Sequence, residues 1–310
     1  MALGTNHVTK TTADKFIPEI WSDEIVAAYK QNLVAANMFS KMSFKGKKGD
    51  TLHIPKPTRG AASVKAASTQ VTLIAATETE IQVLIDKHYE YSRLIEDIVE
   101  TQALSSLRKF YTDDAGYALA KQVDTDLIRL GRAVGTGTAY STAAASTNAF
   151  IGSNGTTVYN STSSNAAALA DAGIRRSIQR LDDADVPMTD RCLIVPPTTR
   201  NTLMGLARFT EQAFVGEVGS SNTIRNGMIG DLYGVTAYVS TNADTAAGSS
   251  GTDRICLLAH KDAFVLAEQM GVRSQTQYKQ EYLGTLFTSD MLYGVAELRD
   301  SSAVALAVPA

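Results

Sequence analysis

The segment from Phe44 to Glu90 constrains this chain more than any other. It runs as KGKKGDTLHIPKPTRGAAS and then STQVTLIAATETEIQVLID, a turn-rich basic stretch followed by alternating residues such as Ile81, Val83 and Ile85. So long a segment with so little apolar content cannot bury a core of its own, so it must rest on another surface. Strands are expected at about 50–55, 70–75 and 79–86. Pro55 and Pro57 have no N–H to give a ladder, so the first strand should lie at a sheet edge or leave the sheet there. The expectation is a long, projecting β-hairpin.

Its charge is lopsided. Residues 41–65 carry Lys41, Lys45, Lys47, Lys48, Lys56, Arg59 and Lys65 against Asp50, a net of +6. Residues 77–100 carry Glu78, Glu80, Asp86, Glu90, Glu96, Asp97 and Glu100 against Lys87 and Arg93, a net of −5. A projecting basic arm beside an acidic stretch suggests pairing between copies of the chain, although solvated surface charge would look the same.

Residues 91–134 contain no proline and read as the longest helical stretch, one helix or two in line. A stripe of Leu104, Leu107, Tyr111, Ala115 and Ala118 gives way to Leu119, Val123, Leu127 and Leu130 on a different face, so Gly116 is a candidate bend. Before the loop, a polar arm leads into a short helix from Ser22, with Ile25, Tyr29, Leu33, Ala36 and Phe39 at helical spacing.

After a Gly/Ser/Thr/Ala/Asn-rich stretch at 135–168, a second unit begins. Its order is helix (AALADAGIRRSIQRLDDA), strand (RCLIVP), helix (PTTRNTLMGLA), a glycine-rich loop over 211–231, strand (GVTAYVS), strand (RICLLAH) and helix (KDAFVLAEQM). Such alternation favours an α/β or α+β layer. From Val272 strand character returns, with the turn Arg299–Ser302 dividing GVAEL from AVALAV.

Other function classes fall away. Hydrophobic residues are 44% and charged residues 20%, as in an ordinary folded chain. The 29 Lys+Arg and 32 Asp+Glu leave no global cationic field for nucleic acid. No apolar run is long enough for a membrane span, and the first residues lack a signal-peptide core, so neither membrane insertion nor secretion is expected. Cys192 and Cys256 lie inside apolar runs and read as core, while the sequons at Asn154 and Asn160 mark an exposed loop. The four histidines have no metal-ligand spacing. GKKGDT lacks the spacing of a phosphate loop and GTGTAY that of a dinucleotide fingerprint. The acids Asp182, Asp183 and Asp185, and the pair Asp124/Asp126, fall short of a calcium loop. No catalytic, metal or cofactor site is expected.

The arm and short helix (FIPEIWSDEIVAAYKQNL), the basic extended loop (GKKGDTLHIPKP), a long helix, an α/β unit containing RCLIVPP and GMIGDLYGVTAYVS, and terminal strands follow in an order that resembles the major capsid proteins of tailed bacteriophages. The resemblance covers nearly the whole chain and implies an α+β fold of the Hong Kong 97 type. It divides the chain into an N-terminal arm and short helix (1–43), an extended loop (44–90), a spine helix and peripheral domain (91–164), an axial domain (165–270) and return strands of the peripheral domain (271–310).

The function so implied is structural. Pentamers and hexamers of one chain would build an icosahedral head around double-stranded DNA, without sequence specificity, in the host cytoplasm. The partners implied are further copies, a separate scaffolding protein, since the arm before Trp21 is short for a built-in one, a portal protein at one vertex and decoration proteins in some relatives. Axial contacts would come from the 211–231 loop. Lys45, Lys47, Lys48, Lys56, Arg59 and Lys65 are expected against acid on a neighbour, with Glu96, Asp97 and Glu100 as the counterpart. A nanocompartment shell is the alternative within the same fold. An α/β enzyme, which would need a deep pocket within 165–270, is the alternative outside it.

Overall fold

The computed structural model describes residues 34–46, 48–57, 60–71, 73, 78–98, 107–131, 150–159, 166–206, 231–248 and 251–310. The chain enters through α1 (Ala35–Met38) and β1 (Ser40–Ser43), then β2 (Thr51–Lys56), β3 (Thr79–Leu84) and β4 (Lys87–Glu96). The long helix α2 (Leu107–Leu130) and β5 (Phe150–Gly152) follow, then α3 (Asp171–Asp183), β6 (Arg191–Val195) and α4 (Pro197–Met204). Strands β7 (Asp231–Leu232), β8 (Val235–Val239), β9 (Thr245–Gly248), β10 (Gly251–His260), β11 (Phe264–Lys279), β12 (Gly284–Glu297) and β13 (Ala303–Pro309) complete it.

Among the described residues three sheets form. The largest is mixed, in the order β5-β13-β10-β6-β8-β7, with β9 also paired to β10. A four-stranded sheet runs β1-β11-β12-β4, and among the described residues β2 pairs only with β3. Every residue of β6 is buried, as expected of a strand covered on both faces. On one face Leu193, Val195, Leu258, Leu306 and Val308 pack with Ile174, Leu181 and Leu203 of α3 and α4. On the other, Cys192, Ile194, Leu257 and Ala259 join α2.

Helix α2 ties the two larger sheets together. Its Leu119, Val123, Leu127 and Ile128 share one core with Phe264, Leu266, Met291 and Tyr293 of the four-stranded sheet and with Val34, Ala35 and Phe39 of the entering chain. Phe39 meets Phe264 edge to face at 4.9 Å. Each such side chain contributes about 1.5–3 kcal/mol by burial, so the helix holds the sheets by several independent anchors.

The structure departs from the sequence reading in several places. The helix expected from residue 91 gives way to strand at its start, because β4 takes residues 87–96 as the outer partner of β12 over ten pairs, Lys87↔Tyr293 to Glu96↔Gly284; helical residues follow at 97–98 and from Leu107 among the described residues. The expected helix KDAFVLAEQM is a 3₁₀ turn at Lys261–Ala263 followed by β11. Phe264, Val265, Leu266 and Ala267 are all buried, which a strand covered on both faces permits and a surface helix would not. Within the described part of the stripe, Ala115, Leu119, Val123 and Leu127 form one buried i, i+4 row, and the helix runs through Gly116 without a break; Leu104 and the side chain of Leu107 lie outside the described residues. Of the expected strand at 70–75, Gln70, Val71 and Leu73 are described and lie outside any strand. The helix expected from Ser22 is described only at its end, as α1, and the 211–231 loop is described only at Asp231. Strand β11 spans the expected boundary at 270/271, and β13 joins the large sheet.

Candidate inter-subunit surface

The hairpin β2–β3 has full register from Thr51↔Leu84 to Lys56↔Thr79. A two-stranded hairpin is marginal in water, and this one is anchored at its base. Val83 and Ile85 are buried on Val265 and Ala267, with Met42, Phe44, Leu52 and Ile54 alongside. The Ile85 N–H donates to Asp50 O at 2.8 Å and the Phe44 N–H to Glu268 O at 2.8 Å. Gln269 Nε2 donates to Gly49 O at 2.9 Å, and Lys45 Nζ lies 3.1 Å from Glu268 Oε1.

Beyond the base the character changes. Residues 60–71 are all exposed and form no strand. Val64 is 101% exposed and Leu73 90% exposed, so these apolar side chains gain nothing from the described part of their own chain. Conformational entropy opposes a fixed extended shape there.

The predicted charged residues divide accordingly. Lys45 is taken by Glu268 within the chain. Lys48, Lys56 and Lys65 are exposed, while Lys47 and Arg59 lie outside the described residues. On the acidic side, Glu96 ends β4 and is exposed. Asp97 accepts from Tyr278 Oη at 2.8 Å, and Glu100 lies outside the described residues. Glu96 ends β4 opposite Gly284 at the end of the four-stranded sheet, and Asp97 follows it as the first residue of a helical turn.

Two charge clusters escaped the sequence reading. His53 and Glu80 pair across the hairpin at 3.0 Å. Hydrogen bonds from Gln82 and His53 hold the Glu80 carboxyl below the usual range. On β12, Asp290 accepts from Arg273 Nε at 3.0 Å and Nη2 at 2.7 Å, with His88 Nε2 at 3.2 Å. The Arg273 hydrogen bond, against a smaller cost of burial, lowers the Asp290 pKa. Arg273, Asp290 and His88 meet through strand pairing, with Arg273 opposite Asp290 and Asp290 opposite Glu90, so no local spacing could have revealed the cluster.

Asp124, Asp126 and Asp182 are structural acceptors. Asp124 Oδ1 takes the N–H groups of Val34 and Ala35 at 3.0 and 2.7 Å, and its Oδ2 takes Asn242 Nδ2 at 3.0 Å. Asp126 accepts from Tyr293 Oη at 2.8 Å and lies 3.4 Å from Lys87 Nζ. Burial first, and Asp126 second, push the Tyr293 hydroxyl pKa up. Asp182 pairs at 2.7 Å with Arg191, which also donates to the Val186 and Pro187 carbonyls. The depression beside Arg191, lined also by Asn37, Tyr238 and Lys261, thus has its guanidinium committed to the fold.

A family model for phage capsid proteins matches residues 92–305, the stretch from β4 through both larger sheets. The chain belongs to the phage capsid protein family. A solved structure from Mycobacterium phage Che8 is 24% identical, with a TM-score of 0.71 over 94% of this chain and 97% of that one. The capsid structure of cyanophage P-SCSP1u is 18% identical, with a TM-score of 0.74 over 99% and 96%. The capsid asymmetric unit of cyanophage Pam1 is 14% identical, with a TM-score of 0.71 over 99% of each chain. No curated protein matches the chain. This capsid protein has the Hong Kong 97-type fold, and it is a tailed-phage major capsid protein, a structural component of the virion. Among the described residues no helix is long and apolar enough to cross a membrane.

Proposed function

We propose that this capsid protein assembles as pentamers and hexamers into a closed icosahedral shell around double-stranded DNA, with the extended loop of each copy lying on its neighbour. The observation that carries this reading is the contrast within the loop: a base fixed by four hydrogen-bonded or ionic contacts and an outer part with every described residue exposed. A closed assembly of one chain needs a surface that recognises the same chain, and the loop supplies it. Lys48, Lys56 and Lys65, with Lys47 and Arg59, face acid on the neighbour, and Glu96, Asp97 and Glu100 are that acid. Lys45 is assigned to its own chain.

Each exposed ion pair contributes only ~0–1 kcal/mol, so repetition over the shell gives the effect its weight. A separate scaffolding protein directs assembly in the host cytoplasm, and a portal occupies one vertex. A chain with a pI near 5.9 holds DNA without the tight phosphate contacts of a basic wall, which favours release. The test is charge reversal at Lys48 and Lys56. Assembly at low salt should weaken and its salt dependence flatten, and an unchanged yield and salt profile would remove the loop from the interface.

A further inference from the structure

We propose that Gly294 is a positioning residue for assembly, setting the direction in which the extended loop leaves the subunit. The inference rests on the loop's proposed role and adds to it the element that aims the loop.

Gly294 lies in β12 opposite Ala267 of β11. The ladder between β12 and β4 stops one residue earlier, at Tyr293↔Lys87. Past that point the chain leaving β3 crosses over β12. A Cβ on Gly294 would stand 2.1 Å from Leu84 O, 2.9 Å from Leu84 C and 3.1 Å from Ile85 Cα. All three are backbone atoms, which cannot turn aside as a side chain could, so any other residue at 294 must lift the crossing strand.

That crossing is the root of the hairpin. Leu84 closes the β2–β3 register against Thr51, and the next N–H, of Ile85, donates to Asp50 O. A second glycine serves the opposite side of the root. A Cβ on Gly271 of β11 would stand 2.8 Å from Glu268 Oε1 and 3.2 Å from Lys45 Nζ, so the ion pair holding the incoming strand lies over that glycine. The two glycines leave a trough in the sheet, and the hairpin root sits in it.

The lever arm makes the placement matter. Six strand residues span roughly 20 Å, so a tilt of about 10° at the root moves the strand ends by roughly 3 Å and the outer loop by more. A displacement of that size exceeds the tolerance of hydrogen bonds and close packing at a neighbour, and the same misdirection recurs at every copy. Gly294 thus acts through the loop and not by touching a neighbour itself.

The experiment compares wild type with Gly294→Ala. In the unassembled chain, hydrogen exchange at the Ile85 amide should quicken by about tenfold or more while amides of β6 and β10 keep their protection. On assembly, the yield of closed shells seen by electron microscopy should fall by about tenfold, or their diameters should spread. Gly294→Ala shells of wild-type yield and diameter would overturn the inference, as would an unchanged Ile85 exchange rate. Should Gly294→Ala fail to fold, the double variant Lys45→Ala, Gln269→Ala loosens the same root without adding an atom beneath it. It should broaden the shell diameters, and an unchanged distribution overturns the inference. A wild-type chain that forms no shells counts against the proposed function instead, and the Ile85 exchange comparison still decides the placement of Gly294.

Discussion

Two thiols and one carboxylate report most directly on individual residues. Burial pushes the Cys192 and Cys256 thiols up to about 12, and the thiolate is the reactive form. At pH 8 the folded chain should resist thiol reagents, with modification following global unfolding in a denaturant series. Fast labelling of a chain with native circular dichroism would contradict their placement. Asp290 behaves differently because Arg273 depresses its pKa. A carboxylate with a lowered native pKa gives stability that is present above its unfolded value of ~3.9 and is lost as pH falls through the native value. Asp290→Asn should therefore cost about 1 kcal/mol at neutral pH, discounted for the exposure of Arg273. The gap to wild type should close as pH drops below 4 in acid titrations followed by denaturant melts. A gap that persists or widens in acid would show that the charge of Asp290 is not what the cluster uses.

Among the elements, the joint between α1, α2 and the turn after β8 carries the next prediction. Asp124→Ala leaves the Val34 and Ala35 N–H groups and the Asn242 amide without their acceptor. A cost of about 2–4 kcal/mol in chemical denaturation is expected, and a cost below about 0.5 kcal/mol would show that the entering chain does not depend on this carboxylate. The elements also show how far the sequence could be read. RCLIV, GVTAYVS and the two helices between residues 171 and 204 announced themselves through buried runs, proline at the start of α4 and helical spacing. β11 did not, because FVLA is buried on both faces and a continuous apolar run has no period to separate strand from helix. β4 carries Tyr89, Tyr91 and Ile95 toward α2 in a period of two, yet Tyr91, Leu94, Ile95 and Ile98 also satisfy a helical stripe. The pairing with β12 decides between them, and pairing is a long-range property. The charged candidates were legible as a class, by their clustering, and not as partners: nothing near Lys45 in sequence points to Glu268.

At the scale of the whole molecule, two sheets share one core through the long helix α2, while residues 60–71 of the proposed extended loop are exposed throughout. That division suits a shell, where rigid copies must meet at fixed angles through reaching segments. It also explains why the one strongly patterned charge reversal in the sequence falls at 41–100, where the loop leaves and rejoins the sheets. The measurement that tests this account most directly is light scattering on the size-excluded chain, expressed with its scaffolding protein, with negative-stain microscopy of the heaviest fraction and a nuclease-protection assay for enclosed DNA after packaging. The account predicts closed shells of uniform diameter built through pentamers and hexamers. A chain that stays monomeric at every concentration and salt, with the scaffold present, would contradict it.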